Sequence, residues 1–174
     1  MKNDTLRLFF ALPCPPQLAE QIVSWHDSLQ LKGRPVIPAN LHMTLAFLGQ
    51  QPSSRLADLR TLAATVQGAA FELRLDRLVR RRNGLLYLAP SQPPAALLEL
   101  VERLGEALLA GGFRLEERSF LAHLTLMRSC SGQPPPDCPT FDWPVSHFAL
   151  LASETGPQGS VYHQLQQWPL LRID

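Results

Sequence analysis

The chain has 174 residues, 45% of them hydrophobic, a mean hydropathy of -0.03 and a formal net charge of +1. A chain of this length buries enough apolar surface for one compact unit, and its composition lies far from the low-hydrophobicity, high-charge signature of disorder. The near-zero charge removes whole-protein attraction for nucleic acid, so contact with a polynucleotide must come from a local basic patch.

No apolar run approaches the roughly 20 residues needed to cross a bilayer, and the first residues lead directly into a strand-like segment. Both features predict a chain that is neither secreted nor inserted in a membrane. Cys14, Cys130 and Cys138 are odd in number and lack the close spacing of a zinc ribbon or a redox pair. They are expected as reduced thiols of a cytoplasmic protein, with no metal site and no cofactor.

In chain order, residues 6 to 12 alternate and then run apolar, predicting a strand that the proline-rich stretch from Pro13 to Pro16 breaks. Helical spacing over residues 17 to 31 predicts a helix with Leu18, Ile22, Trp25 and Leu29 as its buried stripe. Residues 32 to 35 and 38 to 40 are turn-rich, and the apolar stretch 41 to 48, ending at Gly49, predicts the next strand. Residues 53 to 66 are spaced as a second helix, with Leu56, Leu59, Leu62, Ala63 and Val66 on one face and Ser53 or Ser54 as N-cap.

Residues 71 to 78 alternate as a strand, and the basic segment Arg80-Arg81-Arg82-Asn83-Gly84 carries an Asn-Gly turn signal before a returning strand at 85 to 89. Pro93 and Pro94 open a helix running to about residue 109 and closed by Gly111 and Gly112. Residues 113 to 116 and 121 to 127 read as strands, 132 to 139 as a loop, and strands at 148 to 153 and around 161 to 165 complete the set.

A strand, a Pro-Pro pair, a helix and a second strand occur twice, the second copy roughly 80 residues after the first. The two copies end in His42-Met43-Thr44-Leu45 and His123-Leu124-Thr125-Leu126. This duplication predicts two lobes within a single domain spanning residues 1 to 174.

Residues two apart on a strand share a face, so His42 stands beside Thr44 and His123 beside Thr125, while Met43, Leu45, Leu124 and Leu126 turn into the core. One such motif is as compatible with a structural histidine as with a catalytic one. Two copies in matching places of a duplicated unit can face each other across a pseudo-twofold cleft. In-line displacement at phosphorus needs entering and leaving oxygens on opposite sides, which two opposed imidazoles serve as acid and base near their ordinary pKa of about 6.5. The threonine hydroxyls can donate to the non-bridging oxygens, and Arg128 can add a charge-assisted contact.

The tandem motifs, with Leu8-Phe9-Phe10-Ala11 near the start and Arg128 after the second motif, resemble the RNA 2′,3′-cyclic phosphodiesterases, also called 2′-5′ RNA ligases, of the two-histidine phosphoesterase superfamily. The resemblance runs through residues 41 to 49 and the late segment 153 to 162, and covers nearly the whole chain. It implies a bilobal α+β fold, with antiparallel sheets around a central cleft and helices outside. It implies hydrolysis of a 2′,3′-cyclic phosphate to a 2′-phosphomonoester, with His42 as proton donor and His123 as proton acceptor. Ala122 stands where proteins of this family often carry proline.

Arg80, Arg81 and Arg82, with Arg77, are candidates for gripping RNA phosphates, or else a solvated hairpin tip. Phe9 and Phe47 are read as core, with stacking on a base as the alternative. Tyr162 lies in the segment shared with the family, whereas His26, His147 and His163 lack a partner motif and are read as surface or structural. The expected partners are RNA ends or nucleotides bearing a 2′,3′-cyclic phosphate, bound by a monomer with no obligate protein partner and no membrane. A non-catalytic RNA-end-binding protein, or a phosphodiesterase for another cyclic phosphate or a 2′-5′ linkage, are the competing readings. Acid–base catalysis by histidine predicts that hydrolysis of a 2′,3′-cyclic nucleotide survives EDTA; activity lost to chelator and restored by a divalent ion would contradict it.

Overall fold

A computed structural model describes residues 4–157 and 159–172. The described strands are β1 (Thr5–Pro13), β2 (Lys32–Pro35), β3 (His42–Pro52), β4 (Phe71–Leu75), β5 (Arg77–Arg80), β6 (Leu86–Ala89), β7 (Leu124–Ser131), β8 (Phe141–Val145), β9 (His147–Gly156) and β10 (Gly159–Pro169). The helices are α1 (Pro16–Ser28), α2 (Leu56–Thr65) and α3 (Ala95–Ala110). The strands form an antiparallel sheet in the order β10-β9-β1-β3, a second in the order β2-β7-β6-β5, and a two-stranded β4-β8 ribbon. The fold is α+β, as expected.

Two strand-helix-strand segments pair in the same manner. β1 crosses through α1 to reach β3, its antiparallel neighbour, and β6 crosses through α3 to reach β7 in the same way. Proline opens both helices: Pro16 begins α1 and Pro94 immediately precedes α3, where a fixed φ near -65° and a missing N–H carry no penalty. Leu97, Leu100, Leu104 and Leu108 recur along α3 at helical spacing and are fully buried. Gly112, at φ +85°, turns the chain away from the end of this helix.

On α1 the buried stripe is Leu18, Ala19, Ile22 and His26, not the predicted run through Trp25 and Leu29. The helix stops at Ser28, so Leu29 lies beyond it, and half-buried Trp25 packs on Phe141 with the rings tilted at 58° and their centres 5.5 Å apart. His26 is 4% exposed, its Nε2 has no partner among the described residues, and burial holds its pKa below the ordinary value.

Five further expectations change. Residues 32 to 35, read as turn, form the edge strand β2 against β7, a position that tolerates both glycine and proline. A Cβ at Gly33 would lie 2.7 Å from Met127 Sδ, so β2 needs its glycine to approach β7. Ser53 and Ser54 do not cap α2; they sit in a single 3₁₀ turn ahead of it and make no side-chain cap bond. The predicted strand 71 to 78 is two strands in different sheets, parted at Asp76, whose carboxylate accepts the Ser91 N–H (2.7 Å) and Oγ–H (2.6 Å).

Residues 113 to 116 are not a strand, because the Phe113 N–H closes the end of α3 on the Leu108 carbonyl at 3.0 Å. β8 was not anticipated because Pro144 interrupts its alternation, yet Phe141, Trp143 and Val145 all point into the core from an antiparallel ribbon.

A histidine kept neutral by burial disfavours the folded state when protons become available. Its folded pKa lies below its unfolded value, so the stability it permits is complete above about pH 6.5 and declines as pH falls below that. Urea unfolding should therefore show a lower midpoint at pH 5 than at pH 7, and His26→Leu should reduce that difference; an undiminished pH dependence in the variant would contradict this account.

Candidate active site

His42 opens β3, and His123 stands one residue before β7, which starts at Leu124 and not at the predicted residue 121. The alternation is the same in both: His42 and Thr44, like His123 and Thr125, are half-buried, while Met43, Leu45, Leu124 and Leu126 are buried on the opposite side. Ala122, the departure from proline, is buried at the foot of the second motif. β3 and β7 are neighbours across the gap between the two large sheets.

Both imidazoles are held alike. His42 Nδ1–H donates to the Asn40 carbonyl at 2.7 Å, and His123 Nδ1–H to the Leu121 carbonyl at 2.8 Å. A carbonyl can only accept, so Nδ1 carries the hydrogen in both rings and Nε2 is the nitrogen free to exchange protons. His42 Nε2 lies 3.1 Å from Thr44 Oγ1. The hydroxyl donates to it in the neutral ring and accepts from it in the imidazolium.

Aromatic rings surround each histidine. His42 sits between Phe9, at 5.0 Å, and Tyr162, which meets it edgewise at 5.2 Å. Phe9 is buried, but on the site face of its sheet, in a small cluster with Ala11, Ala149 and Leu151 against which Phe47 and Tyr162 pack. His123 meets Tyr87 edgewise at 5.3 Å. The sequence reading missed Tyr87. It lies on β6 directly across from Thr125, a register that only the β6-β7 pairing reveals.

Burial lowers the His42 pKa, and the charges of His123 and Arg128 lower it further, against the Asn40 carbonyl, which favours the imidazolium. These charges come from β7 and the residue before it, so the two halves of the repeat share one electrostatic site. Arg128 is exposed and stands opposite Arg34 of β2.

The three hairpin arginines separate. Arg80 Nε donates to the Cys130 carbonyl at 3.1 Å, tying the hairpin to β7. Arg81 lies over the Tyr87 ring, 5.6 Å from its centre, with Nε 3.4 Å from the hydroxyl. Arg82 is exposed and outside the cavity of about 560 Å³ that runs from Thr44 and His123 past Phe47 to Arg81. His147 begins β9, and exposed His163 pairs with Glu154 at 3.3 Å; neither lines this cavity.

A sequence model of the family described as LigT like phosphoesterase matches residues 12–87. An RNA 2′,3′-cyclic phosphodiesterase of Escherichia coli is 34% identical over 173 residues, covering 97% of this chain and 98% of its own length. One from Thermus thermophilus is 31% identical, over 95% of this chain and 90% of its own. The crystal structure of Escherichia coli LigT complexed with 3′-AMP superposes with a TM-score of 0.87 at 33% identity, covering 95% of this chain and 98% of that one. The same protein has been crystallised with NADP+ and with ATP.

Paired His-x-Thr strands meeting between two antiparallel sheets define the two-histidine phosphoesterases. Within that class the chain belongs to the RNA 2′,3′-cyclic phosphodiesterase family, the LigT-like phosphoesterases.

The electrostatics carry a direct expectation. In an NMR titration of the imidazole Cε1–H signals, His42 should titrate below about pH 6.5, and Arg128→Ala or added inorganic phosphate should move its midpoint upward. A midpoint above the ordinary value in the free protein would contradict the assigned environment.

Proposed function

We propose that this protein hydrolyses the 2′,3′-cyclic phosphate of RNA ends to a 2′-phosphomonoester, with His42 and His123 as the acid–base pair. The matched Nδ1 hydrogen bonds carry this reading, because they leave both Nε2 atoms as the proton-exchanging groups of one shared site. Water attacks phosphorus as His123 Nε2 takes its proton, the P–O3′ bond breaks, and His42 Nε2–H delivers a proton to the departing oxygen. Thr44 and Thr125 donate to the non-bridging oxygens, and the Arg128 guanidinium offsets their growing charge.

The assignment of donor and acceptor follows the family resemblance. The lowered His42 pKa fits a donor that is charged only once substrate arrives. The anionic phosphate favours the imidazolium that burial, His123 and Arg128 disfavour. A 5′-hydroxyl in place of water makes a 2′-5′ phosphodiester by the same two proton transfers.

Among the described residues no helix is long and apolar enough to cross a membrane, and Cys14, Cys130 and Cys138 are free thiols. Cytoplasmic location and one catalytic domain of two lobes, acting as a monomer on nucleotides or RNA ends, complete the proposal.

RNA with a 2′,3′-cyclic end should yield a 2′-phosphate, identified by chromatography against both monophosphate standards; a 3′-phosphate would refute the assigned bond cleavage. His42→Ala and His123→Ala should each reduce kcat by about 10²- to 10⁴-fold, and the double variant should be little worse, since the pair acts as a unit.

A further inference from the structure

The cavity that opens beside His123 and Thr44 is larger than the reacting phosphate needs. Its volume of about 560 Å³ lies within the range of about 300 to 1,000 Å³ usual for small-molecule sites. Phe47, Tyr87 and Phe120 supply its aromatic lining. Two guanidinium groups, Arg81 and Arg118, and one carboxylate, Glu116, line it among the described residues. The two cations outnumber the one carboxylate, so these lining charges are net positive.

Arg81 is the cation the fold has set in place. Its backbone belongs to the hairpin turn, where Arg81 N–H donates to the Leu85 carbonyl (2.9 Å) and Gly84 N–H to the Arg81 carbonyl (2.9 Å). Cys130 N–H in turn donates to the Gly84 carbonyl at 2.8 Å, which fastens the turn to the strand carrying Thr125 and Arg128. A Cβ at Gly84 would lie 2.9 Å from Ser129 Cα, so this close approach depends on glycine. The guanidinium rests over Tyr87 and, among the described residues, uses only Nε, on its hydroxyl, leaving both terminal nitrogens as a fork for an anion. Tyr87 itself touches His123, so Arg81 stands one ring beyond the reacting centre.

A terminal ribonucleotide with a 2′,3′-cyclic phosphate carries its next phosphate on the 5′ oxygen, across the ribose. Resting on the hydrolytic reading above, we infer that the cavity seats this terminal nucleoside and that Arg81 binds its 5′-phosphate. The substrate class is then a 5′-phosphorylated cyclic end, whether the terminus of an oligonucleotide or a 5′-phosphorylated mononucleotide. A nucleoside 2′,3′-cyclic phosphate with a free 5′-hydroxyl is the poor substrate. Arg80, engaged with the Cys130 carbonyl, and Arg82, outside the cavity, take no part.

The test compares adenosine 2′,3′-cyclic phosphate, its 5′-phosphorylated form and the adenosine dinucleotide ending in a cyclic phosphate. Wild-type kcat/KM should favour both 5′-phosphorylated substrates by on the order of tenfold or more. Arg81→Ala should bring this ratio close to one, Arg81→Lys should restore part of it as a single point charge, and Arg82→Ala should keep the wild-type ratio. A wild-type ratio near one, or a ratio unmoved by Arg81→Ala, overturns the assignment. Failure of all three substrates to react overturns the proposed hydrolysis itself, and the assignment with it.

Discussion

An imidazole has two nitrogens, and a histidine that moves protons in a fixed direction must commit one of them to the protein. Here the commitment is made twice by backbone, through Nδ1–H bonds to the carbonyls of Asn40 and Leu121, each two residues before its histidine. The bond is local, so it forms wherever the chain enters a strand with this geometry, and it requires no neighbouring carboxylate. Everything distinctive about the site follows from that economy. Nε2 is left as the atom that the proposed mechanism uses, and the threonine two residues onward lies on the same face of the strand.

The two halves are alike in backbone and unlike in surroundings. His42 is enclosed by Phe9 and Tyr162, contributed by β1 and β10 of the first sheet, whereas His123 leans on Tyr87 from β6 of the second. Burial therefore acts on His42, whose pKa falls, and the positive charge of Arg128 acts in the same direction. In the proposed mechanism this difference between two like groups is what separates proton donor from acceptor.

The β5-β6 hairpin shows how a basic surface segment acquires a defined geometry. Three consecutive arginines are chemically interchangeable in the chain, but the turn fastened at Gly84 assigns them different partners: a carbonyl for Arg80, an aromatic face for Arg81 and solvent for Arg82. Arg55 makes a comparable structural use of charge, donating to the Gly111 carbonyl at 2.8 Å while lying over Phe113, which holds α2 against the end of α3. Arg55 also pairs with Asp58 at 3.1 Å, a largely exposed contact that contributes little in water.

The sequence by itself determined the repeated β-α-β order, the amphipathic helices, the β5-β6 turn and the sharing of a strand face by each histidine and threonine. All of these follow from local periodicity and from the conformational restrictions of proline and glycine. Tertiary structure decided what depends on pairing between distant segments. Lys32–Pro35 is a strand only because β7 lies beside it, and residues 71 to 80 divide at Asp76 because their partners lie in different sheets. Tyr87 reaches His123 because register sets it across from Thr125. Phe9, apolar and read as core, proved to be buried against His42, since hydrophobicity shows that a side chain leaves water but not which face of the sheet it occupies.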